Sequence, residues 1–448
     1  MEILLVTIFI LGYLGIAFEH TFKIDKLIPA LAMMAILWAL IAVNHLEVFE
    51  IISGQGKVAH HVEPVLLHHL GKTAEILFFL MGAMTIVEII DYFDGFSTIK
   101  SFIKARSKVK LLWLFTALAF VLSAVIDNLT ATIVLITILQ KIIKDKETRL
   151  WFAGLIVIAA NAGGAWSPIG DVTTTMLWIA NKVSADQLVV NVLIPSILCF
   201  VVPTLIASRM SVFKGEIEGE IAAVKEKSKY SAIMFYLGLG SILFVPIFKT
   251  VTHLPPYVGM MLSLAIVAAV AEYLSNFKFS VAGALQDDKT GHHSPIHKSL
   301  SKIEMPSLLF FLGILMAVAA LESLGMLFDF AGILEKSVPM VGTESATRIS
   351  DLVVVLLGVG SAVIDNVPLV AASIGMFDLP LNEPAWHFIA YAAGTGGSIL
   401  IIGSAAGVVA MGMEKIDFFW YLKKIGGLAF LGFVAGAIGF IVLRGLIH

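Results

Sequence analysis

Apolar residues in this chain come in long blocks in which hydrophobic positions crowd every face, not the single stripe of an amphipathic surface helix. Blocks long enough for bilayer-spanning helices, which need ~20 residues, run through Ile3–Phe18, Leu27–Val43, Ala74–Ile90, Leu188–Ala207, Ser231–Phe248, Val258–Leu274, Ser307–Phe328 and Phe418–Leu443. Other apolar stretches are shorter or broken by glycine, proline and polar residues. They predict interrupted elements, and they carry most of the chain's chemistry.

The interrupted stretches repeat. Ser-Ala-Val-Ile-Asp-Asn stands at 123–128 and again at 361–366. Leu-Phe-Phe-Leu at 77–80 recurs at 309–312, and the glycine-rich run 161–170 is echoed at 394–403. Three matches in the same order and at nearly constant separation predict a duplicated unit, 1–230 and 231–448. In the second copy the arms Leu352–Ile364 and Val367–Phe377 span only roughly 16–20 Å at 1.5 Å per residue. Such arms fit a helical hairpin that enters and leaves by one face, with Asp-Asn at its tip. The expected hairpins are 109–143 and 351–377, and the expected broken helices are 150–182 and 386–413.

Charge settles the orientation. Lys100, Lys104, Arg106, Lys108 and Lys110 precede the first hairpin, and Lys141, Lys144, Lys146 and Arg149 follow it. Both its ends are therefore predicted to be cytoplasmic. The second hairpin is flanked mainly by Asp329, Glu335, Glu344, Asp351, Asp378 and Glu383, so it should open outward. With five crossings per unit, the second unit is inverted relative to the first. The predicted fold is an all-α polytopic membrane protein of two inverted-topology repeats, each with a re-entrant hairpin and a broken transmembrane helix.

Composition agrees. Of 448 residues, 58% are hydrophobic and 14% charged, against about 25% charged in soluble domains; the mean hydropathy is +0.94. The first apolar block lacks a basic leader and a small-residue cleavage site, so it reads as a retained helix. Cys199 is the only cysteine, which excludes disulfides and cysteine-based metal sites. The chain has no phosphate-binding glycine loop and no basic block, so neither nucleotide-driven transport nor nucleic-acid binding is predicted. No cofactor is implied.

Carboxylates at membrane depth are costly and point to function. Asp127 and Asp365 stand at the two hairpin tips, and Asp171 follows the first glycine-proline break. Taken singly, each could sit in a water-facing loop. Their repeat relation and apolar flanks favour a buried role. Asn128, Thr130, Asn161, Ser167, Thr173 and Thr174 add amide and hydroxyl oxygens, the hard ligands that suit a small alkali cation. The second copy offers Ser361, Asn366, Ser398 and Ser404, the last standing where the first copy has Asp171. One principal cation site is expected in the first copy, completed or gated by the second. Hydroxyls of this kind also mediate helix packing in membranes. Two aspartates in one low-dielectric site repel, so one of them should hold a proton that a sodium ion would displace. Competition of that sort is all that ion exchange by alternating access requires. Glu19 and His20 form a candidate pH-responsive pair. The histidines of 44–73 read as a solvated loop, and Glu322 reads as a helix-end residue within reach of water.

Ala-Phe-Glu-His at 17–20, Ser-Ala-Val-Ile-Asp-Asn-Leu-Thr at 123–130, Asn-Ala-Gly-Gly-Ala-Trp-Ser-Pro-Ile-Gly-Asp at 161–171 and Ser-Ala-Val-Ile-Asp-Asn at 361–366 resemble the bacterial NhaD-type sodium/proton antiporters. The resemblance extends over nearly the whole chain. It implies export of Na+, and of Li+ with it, in exchange for H+ across the bacterial inner membrane. It also implies ion-binding roles for Ser123, Asp127, Asn128, Asn161, Asp171, Thr173, Ser361, Asp365 and Asn366, with Na+ held at Asp127, Asn128, Asn161 and Asp171. By analogy within the wider ion transporter superfamily it implies a homodimer. A sodium-coupled carboxylate symporter or an oxyanion exporter of that superfamily is the nearest alternative, although no arginine in the motifs could clamp an anion. An intramembrane aspartyl hydrolase would leave the repeat and the asparagines unexplained.

Overall fold

A computed structural model describes residues 1–17, 24–52, 56–100, 103, 105–217, 229–282, 294–337, 349–363 and 366–447. Glu19, His20 and the tip residue Asp365 fall outside the described residues. Helices dominate: α1 Glu2–Ala17, α2 Leu27–Val43, α3 Val62–Tyr92, α4 Lys108–Ile126, α5 Asn128–Ile142, α6 Lys146–Ala165, α7 Val172–Ile179 and α8 Ala185–Ser208. The second series is α9 Lys229–Thr252, α10 Pro256–Ala282, α11 Met305–Ser323, α12 Met326–Ser337, α13 Asp351–Gly360, α14 Asn366–Met376, α15 Pro384–Gly396, α16 Ala405–Glu414 and α17 Gly427–Ile447. Among the described residues, eight helices are long and apolar enough to cross a membrane: α3, α4, α6, α8, α9, α10, α11 and α17 with the short turns that lead into it.

Each series contains one hairpin, α4–α5 or α13–α14, and one broken helix, α6–α7 or α15–α16. The second series repeats the first in inverted topology. The hairpins are unequal. The arms of the first are 19 and 15 residues long, whereas those of the second are 10 and 11. The short second arms fit the predicted re-entrant geometry. The longer α4 lets the first hairpin reach further down the flank of α6.

The duplication is visible in packing. A Cβ on Gly163 of α6 would overlap the backbone carbonyl of Phe120 in α4, and one on Gly396 of α15 would overlap that of Gly358 in α13. Each hairpin therefore lies backbone to backbone against the broken helix of its own series, an approach that only glycine allows at that position. Hydroxyls fasten the same pairs. Ser123 Oγ donates to Ala160 O at 2.6 Å and Ser361 Oγ donates to Ala393 O at 2.8 Å.

The hairpins, broken helices, α8 and α17 share one large apolar core with parts of α3, α9 and α10. A second cluster joins α1, α2 and α11 to the inner ends of α7 and α14 through Met176, Val367 and Ala371. Trp38 of α2 donates its indole N–H to Met316 O of α11 at 2.8 Å, locking this flank.

Two elements depart from the all-helical reading. Val48–Ile52 and Gly56–His60 form a small antiparallel β-ribbon, β1–β2. The helix predicted over Ala74–Ile90 begins earlier, at Val62, and runs for 31 residues. His68, His69 and Lys72 therefore lie on helix and not in a solvated loop. They interrupt the hydrophobic pattern because this stretch of α3 walls a polar cavity.

Candidate functional site and its family

The site is built where hairpin tips meet helix breaks. α4 ends and α5 begins at Asp127, whose backbone has φ 78° and ψ 159°. Few residues other than glycine adopt such a conformation, and it persists only where surrounding contacts impose it. Here the carboxylate supplies them. Asp127 Oδ1 accepts Thr130 N–H at 2.7 Å and Oδ2 accepts the Thr130 hydroxyl at 2.9 Å. Asp127 thus caps α5 while turning the hairpin.

Its neighbour Asn128 points into the bundle and is buried. Asn128 Nδ2 donates to Asn161 Oδ1 at 2.9 Å, and Asn161 Nδ2 donates to Ser404 Oγ at 2.9 Å. Ser404 Oγ in turn accepts Gly407 N–H at 3.2 Å, capping α16. A continuous polar chain therefore leads from the first hairpin tip to the second broken helix.

Asp171 occupies the pseudo-equivalent break of the first broken helix. It precedes α7 and is only 3% exposed, yet its side chain makes no capping bond to α7. Asp171 Oδ2 instead accepts the Thr173 hydroxyl at 2.8 Å and Asn366 Nδ2 at 3.0 Å. Asn366 begins α14, so the second hairpin tip reaches the carboxylate of the first broken helix.

The remaining predicted ligands are placed as follows. Thr174 Oγ1 donates to Asp171 O at 3.0 Å and Ser398 Oγ to Thr395 O at 2.7 Å. Ser167 Oγ accepts Ile169 N–H at 3.4 Å within the turn of the break. With Ser123 and Ser361 on carbonyls as well, these hydroxyls hold the hairpins and breaks in shape. The side chains brought into direct polar contact across the two series are Asn128, Asn161 and Ser404 on one path, and Asn366, Asp171 and Thr173 on the other. The bonds seen from Asp127 run to Thr130, not to Asp171.

Sequence reasoning missed two ties outside this centre. Arg149 at the start of α6 pairs with Glu414 at the end of α16 at 3.0 Å. On the opposite pair of ends, Asn382 ahead of α15 accepts Ser184 N–H at 2.7 Å through Oδ1 and donates its own N–H to Lys182 O at 2.9 Å. Arg149 was legible only as a topogenic charge, because its partner lies in the other repeat.

Broken helices crossing between inverted repeats, with their breaks facing hairpin tips, define a secondary transporter. A sequence profile described as the citrate transporter family matches residues 13–386. The chain is 38% identical to "Sodium/proton antiporter 2" of Arabidopsis thaliana, over 98% of both chains. It is 32% identical to the Na(+)/H(+) antiporter NhaD of Vibrio parahaemolyticus, over 88% of this chain and 94% of that one. The chain belongs to the citrate transporter family, among its NhaD-type sodium/proton antiporters. Among solved structures, the YdaH transporter of Alcanivorax borkumensis, described as having an unusual topology, shares the fold. Its TM-score is 0.62 with 12% identity, covering 94% of this chain and 98% of that one.

Proposed function

We propose that the protein exports sodium in exchange for protons by alternating access of a centre at Asp171, working in a bacterial cytoplasmic membrane. The observation that carries this reading is the Asp171 carboxylate, buried at the meeting point of the repeats. Its Oδ2 accepts the Thr173 hydroxyl and the Asn366 amide. A buried carboxylate in such surroundings is stabilised by taking up a small cation or a proton. One centre that accepts either, but not both, couples their movements. Asn128, Asn161 and Ser404 extend the hard-oxygen surface, and Asp127 sets the hairpin that carries Asn128. Lithium, which prefers the same oxygen ligands, follows sodium. The working unit is a homodimer of chains, each made of repeats 1–230 and 231–448.

Transport of a carboxylate anion is the second reading, favoured by the description of the matching family. A bidentate clamp on such an anion would be a guanidinium aimed at the centre. Arg149 is bound to Glu414, and Arg444 forms a buried bidentate pair with Asp351 at 2.8 and 2.5 Å. Both arginines are thus committed to carboxylates of the chain itself.

Reconstitution into liposomes with an internal pH dye decides between the two. Sodium and lithium should each discharge an imposed pH gradient, and citrate should not. Asp171→Asn should abolish the response while the protein stays monodisperse, and Asp127→Asn should do the same. Wild-type rates from Asp171→Asn would sink the proposed centre, and uptake of labelled citrate would favour the second reading.

A further inference from the structure

One face of the bundle, the one that carries the ends of α7, α9, α11 and α14, opens into a cavity of about 700 Å³. Its walls bear Lys72 and Glu75 of α3, Lys182 after α7, Lys249 of α9, Glu322 of α11 and Asp378 after α14. Its inner end is lined by Met176 of α7 and Ala371 of α14. Met176 lies five residues beyond Asp171, and Ala371 lies five beyond Asn366. At 1.5 Å of rise per residue the cavity therefore stops roughly 7–8 Å along the helices from the Asp171–Asn366 bond.

Glu322 stands apart from the other charges. Lys249 Nζ donates to Trp178 O at 2.9 Å, and the Lys182 ammonium lies over the Trp386 ring, 4.9 Å from its centroid. Lys72 and Lys182 act on Glu322 through their fields, yet among the described residues no ion pair within 4.0 Å includes it. Its carboxylate packs on the last turn of α14. A Cβ on Gly375 would sit 3.0 Å from Oε2, so glycine there leaves room for the carboxylate. Val318 and Ala319, one turn deeper on the same face of α11, line the path between Glu322 and the cavity's inner end.

We propose that Glu322 is a second cation position, a low-affinity relay that holds a hydrated sodium ion or a proton between the cavity mouth and Asp171. This rests on the antiport reading and names the route by which ions reach the centre from this face. The three ammoniums on these walls balance the three carboxylates, so the attraction for a cation is local to the Glu322 carboxylate, which no ammonium contacts within 4.0 Å among the described residues. Contact with α14, whose first residue Asn366 bonds Asp171, places the relay against the element that completes the centre.

The test supplies sodium from one side of oriented proteoliposomes at a time. Glu322→Gln should raise the sodium KM at the cavity face roughly tenfold, between what contact of two unit charges is worth in water and near a protein surface. The KM at the opposite face and the maximal rate should not change, and Glu322→Asp should restore most of the loss. Lys182→Gln should lower the KM at the same face, an opposite shift that a merely structural role would not give. An equal change at both faces, or none at either, overturns the relay. A wild-type protein that performs no exchange would instead overturn the antiport reading. Sodium protection of Glu322 from carbodiimide labelling, read by mass spectrometry in wild-type protein, then decides the relay alone: protection supports it and unprotected labelling refutes it.

Discussion

The Arg149–Glu414 pair allows a quantitative test of how the two broken helices are held together. Arg149 Nε sits 3.2 and 3.0 Å from the two Glu414 oxygens, and its Nη1 also donates to Ile143 O at 3.2 Å and Lys144 O at 2.9 Å. The two side chains are unequally buried, Arg149 at 20% exposure and Glu414 at 1%. Removing one partner of a buried pair costs far more than exchanging both for apolar residues, because the survivor keeps an uncompensated charge. Arg149→Met strands a carboxylate that has almost no access to water, so its cost should fall near ~3–5 kcal/mol. Glu414→Gln strands a guanidinium that still reaches water and two carbonyls. That loss should be smaller, about 1.5–3 kcal/mol, the range of a hydrogen bond to a charged group. The double variant Arg149→Met/Glu414→Met should recover most of the Arg149→Met loss. Unfolding titrated with SDS in mixed micelles and followed by tryptophan fluorescence would measure all three. If Glu414→Gln is the more damaging single change, or if the double variant is additive, the burial asymmetry does not govern this contact.

Two further outcomes follow from the fold. Gly163→Ala and Gly396→Ala should each cost ~1–3 kcal/mol in the same titration, because the new methyl would meet backbone that cannot yield without separating hairpin from broken helix. Gly240→Ala, with open space around its would-be Cβ, should be neutral, and equal tolerance at all three positions would refute the close approach. For sidedness, Asp145→Cys and His253→Cys in a Cys199→Ser background should label from opposite faces of intact cells with an impermeant maleimide. The external face should reach only the cysteine at 253. Labelling of both from one side would end the inverted arrangement.

Much of the fold was legible because the chain states it twice. Six identical residues at each hairpin tip and a glycine-rich run at each break marked the interrupted elements without any tertiary information. The pairing between repeats was not legible. Nothing in the local sequence indicates that Asn366 should bond Asp171 across the interface, or that Asn161 should reach Ser404. Ser361 was read by chemical type as a cation ligand and Ser123 through the resemblance; in the structure each donates to a carbonyl of the adjacent broken helix. A hydroxyl suits both tasks, and only placement distinguishes them. The start of α3 was misread for a related reason: its histidines and Lys72 face a polar cavity, so hydrophobicity stops where the helix does not. Glu322 looked like an ordinary helix-end charge because the glycine that makes room for it lies in a different helix.

The departures from symmetry explain why a duplicated chain would concentrate its charge in one centre. At the two breaks the related residues are Asp171 and Ser404, and one turn or more earlier they are Asn161 and Gly394. Ser404 caps its own helix and takes the amide of Asn161, which fills the space between it and Asn128. On the other path residue 394 is glycine and brings no side chain of its own. A Cβ on Gly394 would lie 3.7 Å from Asp171 Oδ2, so anything larger than a methyl would crowd the carboxylate and the Asn366 amide that reaches it. Exchanging Ser404 for aspartate would put a second buried carboxylate beside Asn161, and two like charges at this depth repel strongly. Under the proposed antiport, the one carboxylate at the breaks is the charge that a single monovalent ion would balance. Both halves touch that carboxylate, through Thr173 from one side and Asn366 from the other, so a change in its charge would bear on their relative position. A carrier that must move one repeat against the other only when its charge is balanced needs that shared contact.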